Sequence, residues 1–217
     1  MNLLSYNIRG GGTLSKRKRV SFLVQSFSID ICFIQETKLP CFNETFAKNF
    51  WGSSGVEWTA SNSLGAAGGM VILWRKDSLS LNFSFIGKGY VGINFLWKGV
   101  VHNLVNVYAL CSVAERRVLW RSLLERKRKS GNEEWCVVGD FNEIVRREER
   151  KGEGFCYNAR GMTEFREFIE NMELEDIHCV GGKFTWFKDN GKAMSRLDRF
   201  LVSRKMIDLW GVLDQRI

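Results

Sequence analysis

Between Val56 and Ala109, five short runs rich in Val, Ile, Phe and Trp follow one another: Val56 to Ser61, Gly69 to Trp74, Leu79 to Ile86, Val91 to Trp97 and Val100 to Ala109. Gly and Asn separate them, and runs of this length and spacing read as strands of a hairpin meander. Leu79 to Phe85 alternates strictly between apolar and polar residues, so one face of that strand is expected to be wet. On either side of this block the texture changes. Leu3 to Ile8 reads as a strand. Ser15 to Phe27 reads as a helix, with Val20, Leu23, Val24 and Phe27 at helical spacing. Ile29 to Gln35 reads as a second buried strand, completing a βαβ unit. Phe42 to Phe50 is expected to be a short helix, Val113 to Lys129 a helix with a basic end, and Thr163 to Met172 a third. Trp135 to Gly139, Phe184 to Phe187 and Arg196 to Val202 read as strands, Arg146 to Gly154 as a charged loop, and Leu209 to Ile217 fits no single pattern. Strands joined partly by helices and partly by hairpins argue for two packed mixed sheets with helices outside, an arrangement that layer rules permit at this size.

The 217 residues are 45% hydrophobic, with one proline and no Ser/Pro-rich linker, which points to a single domain over 1–217. No apolar run is long enough to span a bilayer, and Met1 to Leu4 leads straight into a strand without a secretory leader. An intracellular protein is expected, with no membrane and no obligate protein partner. The six cysteines form no C-x-x-C pair and read as reduced thiols. Two histidines, His102 and His178, are too few for a histidine-based metal cluster. A net charge of +8 and a pI near 9.3 favour a polyanionic partner, nucleic acid first. The runs Lys16-Arg17-Lys18-Arg19 and Arg126-Lys127-Arg128-Lys129 read either as nuclear-localisation-like patches or as solvated helix faces.

The stretch Val137-Val138-Gly139-Asp140-Phe141-Asn142 is an apolar run stopped at a glycine. Alternation places Asp140 and Asn142 on one side and Phe141 on the other. A carboxylate beside a carboxamide at a rigid strand end suits hydrolysis, as base and neutral donor. The same residues also suit a plain Asx turn. Other polar residues stand at strand ends too: Asn7, Glu36, Tyr108 and Asp198, the last between Arg196 and Arg199, where a surface ion pair is the plain reading.

In this order the words Ser5-Tyr6-Asn7-Ile8-Arg9-Gly10, Ile34-Gln35-Glu36-Thr37-Lys38, Asn106-Val107-Tyr108-Ala109, Gly139-Asp140-Phe141-Asn142 and Ser195-Arg196-Leu197-Asp198-Arg199 span almost the whole chain. The chain resembles the endonuclease/exonuclease/phosphatase superfamily. Phe184-Thr185-Trp186 leading to Ser195 through Phe200 is most similar to the endonuclease domain of plant LINE-type non-LTR retrotransposons, where a reverse transcriptase normally follows. The resemblance implies a four-layer α/β/β/α sandwich with the six polar residues gathered at one rim, and divalent-metal-dependent cleavage of a phosphodiester in largely non-specific duplex DNA, in the nucleus. Asn7 and Glu36 would hold Mg²⁺, with Mn²⁺ as a substitute. Mg²⁺ takes oxygen ligands, needs one or two carboxylates and keeps its waters. Asp140 would orient or deprotonate the attacking water, Asn142 would donate to the phosphoryl oxygen, and Tyr108 would brace the phosphate. Asp198 would orient a catalytic histidine. The chain departs from the family there. The closing Ser-Asp-His word is absent, and neither His102 nor His178 lies in a family word. The expectation is a domain lacking its last strand, crippled or inactive as a nuclease and with an open sheet edge. Two alternatives remain, a non-catalytic nucleic-acid-binding remnant and a phosphatase of the same fold.

Overall fold

The N-terminal strand–helix–strand unit forms where its pattern places it. In the computed structural model, which describes residues 1–63, 68–152, 158–211 and 214–217, β1 (Leu3–Asn7) pairs in parallel with β2 (Ile31–Gln35), and α1 (Leu14–Ser26) joins them. Every residue of β2 is buried, as a strand covered on both faces must be. β3 (Val56–Ser61) and β4 (Met70–Arg75) complete a mixed sheet in the order β1-β2-β4-β3. α2 (Glu44–Trp51) starts where Asn43 accepts a hydrogen bond from Phe46 N, and stops at Gly52 in the left-handed region. Val20, Val24, Phe50 and Trp51 pack with Cys32, Ile34 and Leu73 into one core.

The meander follows as β5 (Ser80–Gly87), β6 (Tyr90–Trp97) and β7 (Val100–Tyr108), antiparallel throughout. β5 departs from its alternating pattern: Leu81 and Phe83 are 40% and 51% exposed, so both faces of its first half are wet and only Phe85 is buried. Alternation fixes which residues share a face, not whether anything covers that face.

The chain divides into two compact units, Met1–Tyr108 and Ala109–Ile217. The second is built on β8 (Glu134–Asp140), buried along its whole length, with β14 (Asp198–Ser203) and β10 (Leu174–Asp176) antiparallel beside it. α3 (Val113–Lys129) and α4 (Ala159–Asn171) meet through aromatic rings: Trp120 lies 4.5 Å from Phe168 and 5.2 Å from Phe165. α4 begins four residues before the expected start at Thr163, because Asn158 caps it by accepting from Gly161 N. The stretch read as a charged loop holds a 3₁₀ turn, Arg147–Glu149, and β9 (Arg150–Gly152), which pairs with β13 (Ala193–Ser195); β13 in turn pairs with β12 (Trp186–Phe187). The C-terminal stretch forms α5 (Arg204–Trp210) and β15 (Gln215–Arg216), parallel to β11 (Cys179–Val180). Strands of two or three residues carry no readable period. Cys32 and Cys136 are buried, and burial pushes both thiols well above the ordinary range. Among the described residues no helix is long and apolar enough to cross a membrane.

Candidate functional site

In the first unit the parallel pairing of β1 and β2 sets Asn7 opposite Gln35, and Glu36 follows at once. Glu36 has φ +52°, a left-handed conformation costing a non-glycine residue roughly 1–2 kcal/mol. The surrounding backbone holds it there. Gly10 N donates to Glu36 O (2.7 Å) and Gly11 N to Thr37 O (2.6 Å), while Thr37 N donates to Gly69 O (2.9 Å) and Lys38 N to Gly68 O (3.0 Å). Gly10 and Gly11 thus form one half of a clamp and Gly68 and Gly69 the other. Gly69 has no substitute: its φ is +81°, and a Cβ there would stand 2.3 Å from Thr37 Oγ1.

Asn7 Nδ2 donates to Glu36 Oε1 at 3.1 Å, Asn7 Oδ1 accepts from Arg9 N at 3.2 Å, and Lys38 Nζ lies 3.5 Å from Glu36 Oε2. The Glu36 side chain is 17% exposed, so solvent and ions reach it. One carboxylate and one carboxamide in contact make an all-oxygen donor pair, which suits Mg²⁺ with its retained waters. No group of three or more His, Cys, Asp or Glu suited to a metal occurs among the described residues. Tyr108 ends β7, where its N donates to Gly89 O at 3.0 Å. In the basic run on α1, Lys16 Nζ donates to Ile8 O and Arg9 O, and Arg17 Nη1 to Gly11 O and Gly12 O. Half of that run therefore anchors the loop after Asn7, a use between the two readings its sequence allowed.

In the second unit β8 ends on Asp140, 6% exposed, and the antiparallel register places Asp198 directly opposite it on β14. Directly opposite residues of an antiparallel pair share one face of the sheet, so the two acids stand on the same side. Asn142 does not continue the strand. It turns at φ +47°, its N donates to Asp140 Oδ1 (2.9 Å), and its Nδ2 donates to Ala109 O (2.7 Å). The Asx turn is therefore real: it sets the Asn142 backbone N–H on the Asp140 carboxylate, while the Asn142 carboxamide reaches Ala109 O. Phe141 is buried against Trp120 and Phe165, as expected. Just beyond, Glu143 makes a buried ion pair with Arg116 at 2.7 Å, while Arg116 Nη1 also donates to Leu110 O and Cys111 O. Nothing in the sequence marked Glu143, since its partner lies on α3, 27 residues away.

Asp198 is held from two sides. Thr185 Oγ1 accepts from both Leu197 N and Asp198 N, each at 3.0 Å. Arg196 and Arg199, expected to pair on the surface, instead enter a cluster with Glu149 and Asp176 in which Arg199 is fully buried. Thr185→Val keeps the shape but leaves two N–H groups without their acceptor, and is expected to cost about 1–3 kcal/mol. Thr185→Ser should retain most of that stability, and urea denaturation of both variants checks it.

A sequence profile of the Endonuclease/Exonuclease/phosphatase family matches residues 4–214, and the chain belongs to that family. No curated protein is a significant match. Among solved structures, the endonuclease domain of TRAS1, a telomere-specific non-LTR retrotransposon, is similar with a TM-score of 0.70 at 17% identity, covering 95% of this chain and 87% of that one. The 3′ phosphatase NExo from Neisseria bound to a product DNA hairpin gives 0.73 at 17% identity, with 94% and 88% covered. An AP endonuclease from Archaeoglobus fulgidus gives 0.71 at 15% identity, with 94% and 88% covered. The fold is thus the expected mixed α/β one, with two mixed sheets flanked by helices.

Proposed function

We propose that this protein is a Mg²⁺-dependent phosphodiester hydrolase that nicks duplex DNA, derived from a LINE-type retrotransposon and acting in the nucleus. The observation that carries the reading is the facing pair Asp140 and Asp198, with Asn142 turned in beside Asp140. Asn7 and Glu36 would hold the metal ion, and the chemistry it would supply there is neutralisation of charge on a phosphate. Asp140 orients the attacking water and takes its proton. Asn142 has a second amide hydrogen to give to the phosphoryl oxygen as charge builds there. Tyr108 braces the phosphate, and Asp198 fixes the tautomer of an imidazole.

These 217 residues contain no Ser-Asp-His word to supply that imidazole. His102 is fully buried, stacked 5.4 Å from Phe95, and His178 is exposed. Residues 1–217 alone are therefore proposed to bind DNA and to cut it little or not at all. The test is nicking of supercoiled plasmid in Mg²⁺ or Mn²⁺ by the 217-residue chain and by the same chain extended through a Ser-Asp-His segment, with Asp140→Asn controls. A large gain on extension is expected. Strong nicking by 1–217 would make the histidine dispensable. No nicking by either chain would favour the binding-only reading, and release of phosphate from a 3′-phosphorylated oligonucleotide in place of nicking would favour a phosphatase.

Charge supports DNA as the partner. The first unit carries eleven Lys and Arg against five Asp and Glu, and the second twenty-one against nineteen. If about four phosphates are neutralised, affinity should fall roughly 10²-fold between 50 and 200 mM salt, from a slope of about 0.9 per phosphate. Fluorescence anisotropy with duplex oligonucleotides measures this, and a salt-independent dissociation constant would remove electrostatic DNA binding.

A further inference from the structure

Deep in the first unit lies a polar network that none of the roles above uses. Gln35 and Asn106 are both 0% exposed. Gln35 Nε2 donates to Asn106 Oδ1 at 2.7 Å and to Ser5 Oγ at 3.2 Å. Asn106 Nδ2 donates to Ile34 O at 3.0 Å and to Val71 O at 2.9 Å. Four strands are joined: β1 through Ser5, β2 through Gln35 and Ile34, β4 through Val71, and β7 through Asn106. The network costs desolvation of two amides, and apolar residues would fill the same space without that cost.

Its members stand in fixed relation to the candidate site. Ser5 precedes Asn7 by two residues on β1, so alternation puts both on one face. Asn106 precedes Tyr108 by two on β7, with the same consequence. Gln35 immediately precedes Glu36, whose left-handed φ of +52° lets its carboxylate meet Asn7 instead of pointing to the opposite face. Each of the three site residues of this unit thus follows a network residue by one or two positions. Amide hydrogen bonds are directional, so they fix strand register where apolar packing alone tolerates small slips.

We infer that Gln35 and Asn106 are positioning residues, which set the Asn7–Glu36 pair as a metal-binding unit and hold the Tyr108 strand against it. The inference rests on the proposed metal role of that pair. Partners beyond the direct ligands commonly alter metal affinity by about 10- to 100-fold.

The test uses the 217-residue chain and two readouts: the side-chain amide resonances of Asn7 by NMR without metal, and Mn²⁺ affinity by calorimetry. Gln35→Met keeps volume and removes both donated bonds. It is expected to move the Asn7 amide resonances and to weaken Mn²⁺ binding at least about tenfold. Ile31→Val, at the far end of β2, is the control: it should lower the melting temperature while leaving both readouts in place. If Gln35→Met does not fold, Ser5→Ala, which removes one acceptor from the network, should shift the same resonances in the same direction. Unmoved Asn7 resonances in both network variants, or equal shifts in Ile31→Val, would overturn the inference and leave the network a stabilising device. Mn²⁺ binding that is indifferent to Glu36→Gln would instead overturn the metal role, while the Asn7 resonances still decide whether the network positions the pair.

Discussion

Asp140→Asn is expected to lower metal-dependent nicking by on the order of 10² to 10⁴, in a chain extended through the Ser-Asp-His word, with little loss of fold. The substitution is nearly isosteric, and an Asn side-chain oxygen can still accept from Asn142 N, so the turn that now uses Asp140 Oδ1 survives. What disappears is the proton acceptor. Glu36→Gln should give a loss of similar size by a different route. The Asn7 hydrogen bond can persist, but the single carboxylate of the metal pair is gone. Plasmid-nicking rates, with a thermal melt of each variant, check both. Wild-type nicking by either variant would remove that residue from the site, and unfolding of either would make its role structural.

The regular elements were legible because they carry a period. β1, β2, α1 and α3 were placed to within two residues, since four or more apolar positions recur in each at strand or helix spacing. The site residues could be named because strand ends are where polar residues break an apolar run. How they are held was not legible. Glu36 and Asn142 both sit at positive φ, and nothing in a Glu announces such a conformation; it is imposed by glycine pairs more than twenty residues away on either side. Ser5, Gln35, Asn106 and Thr185 were all seen as letters of motifs, yet their work is hydrogen bonding between elements distant in sequence. The meander was correctly read as strands, but exposure of Leu81 and Phe83 depends on what lies over the sheet. A basic run and an Arg-x-x-Arg pair looked like surface because charge usually is, and Arg199 is the exception.

Arg199→Leu should then be the most destabilising single change in the second unit, at about 3–5 kcal/mol, the range for stranding a buried ionic partner. Arg199 is 0% exposed, and its Nη1 donates to Glu149 Oε1 at 3.1 Å and to Asp176 Oδ2, while Nη2 donates to Glu149 Oε2. Arg196 closes the cluster, with Nη2 2.7 Å from Asp176 Oδ1 and Nη1 3.5 Å from Glu149 Oε1. Two cations and two anions balance, so leucine would leave two half-buried carboxylates facing one guanidinium. Glu149 and Asp176 lie 50 and 23 residues from Arg199, so the cluster ties the 3₁₀ turn and β10 to the strand that begins with Asp198. Its pH signature follows from Glu149. Burial pushes that carboxyl up, but hydrogen bonds and charge from Arg199, with the N–H groups of Val145 and Arg146, outweigh burial and hold it below the ordinary range. A carboxyl so depressed adds stability that is fully present above its unfolded value of about 4.3 and is lost as pH falls through the folded value. In urea denaturation the parent should therefore weaken on acidification in that window. Arg199→Leu, which removes the cause of the depression, should start lower and weaken less. Arg199→Lys keeps the charge without the forked geometry and should fall between them. A leucine variant within 1 kcal/mol of the parent at neutral pH, on the scale of an exposed pair, would show that the cluster contributes no more than a surface ion pair.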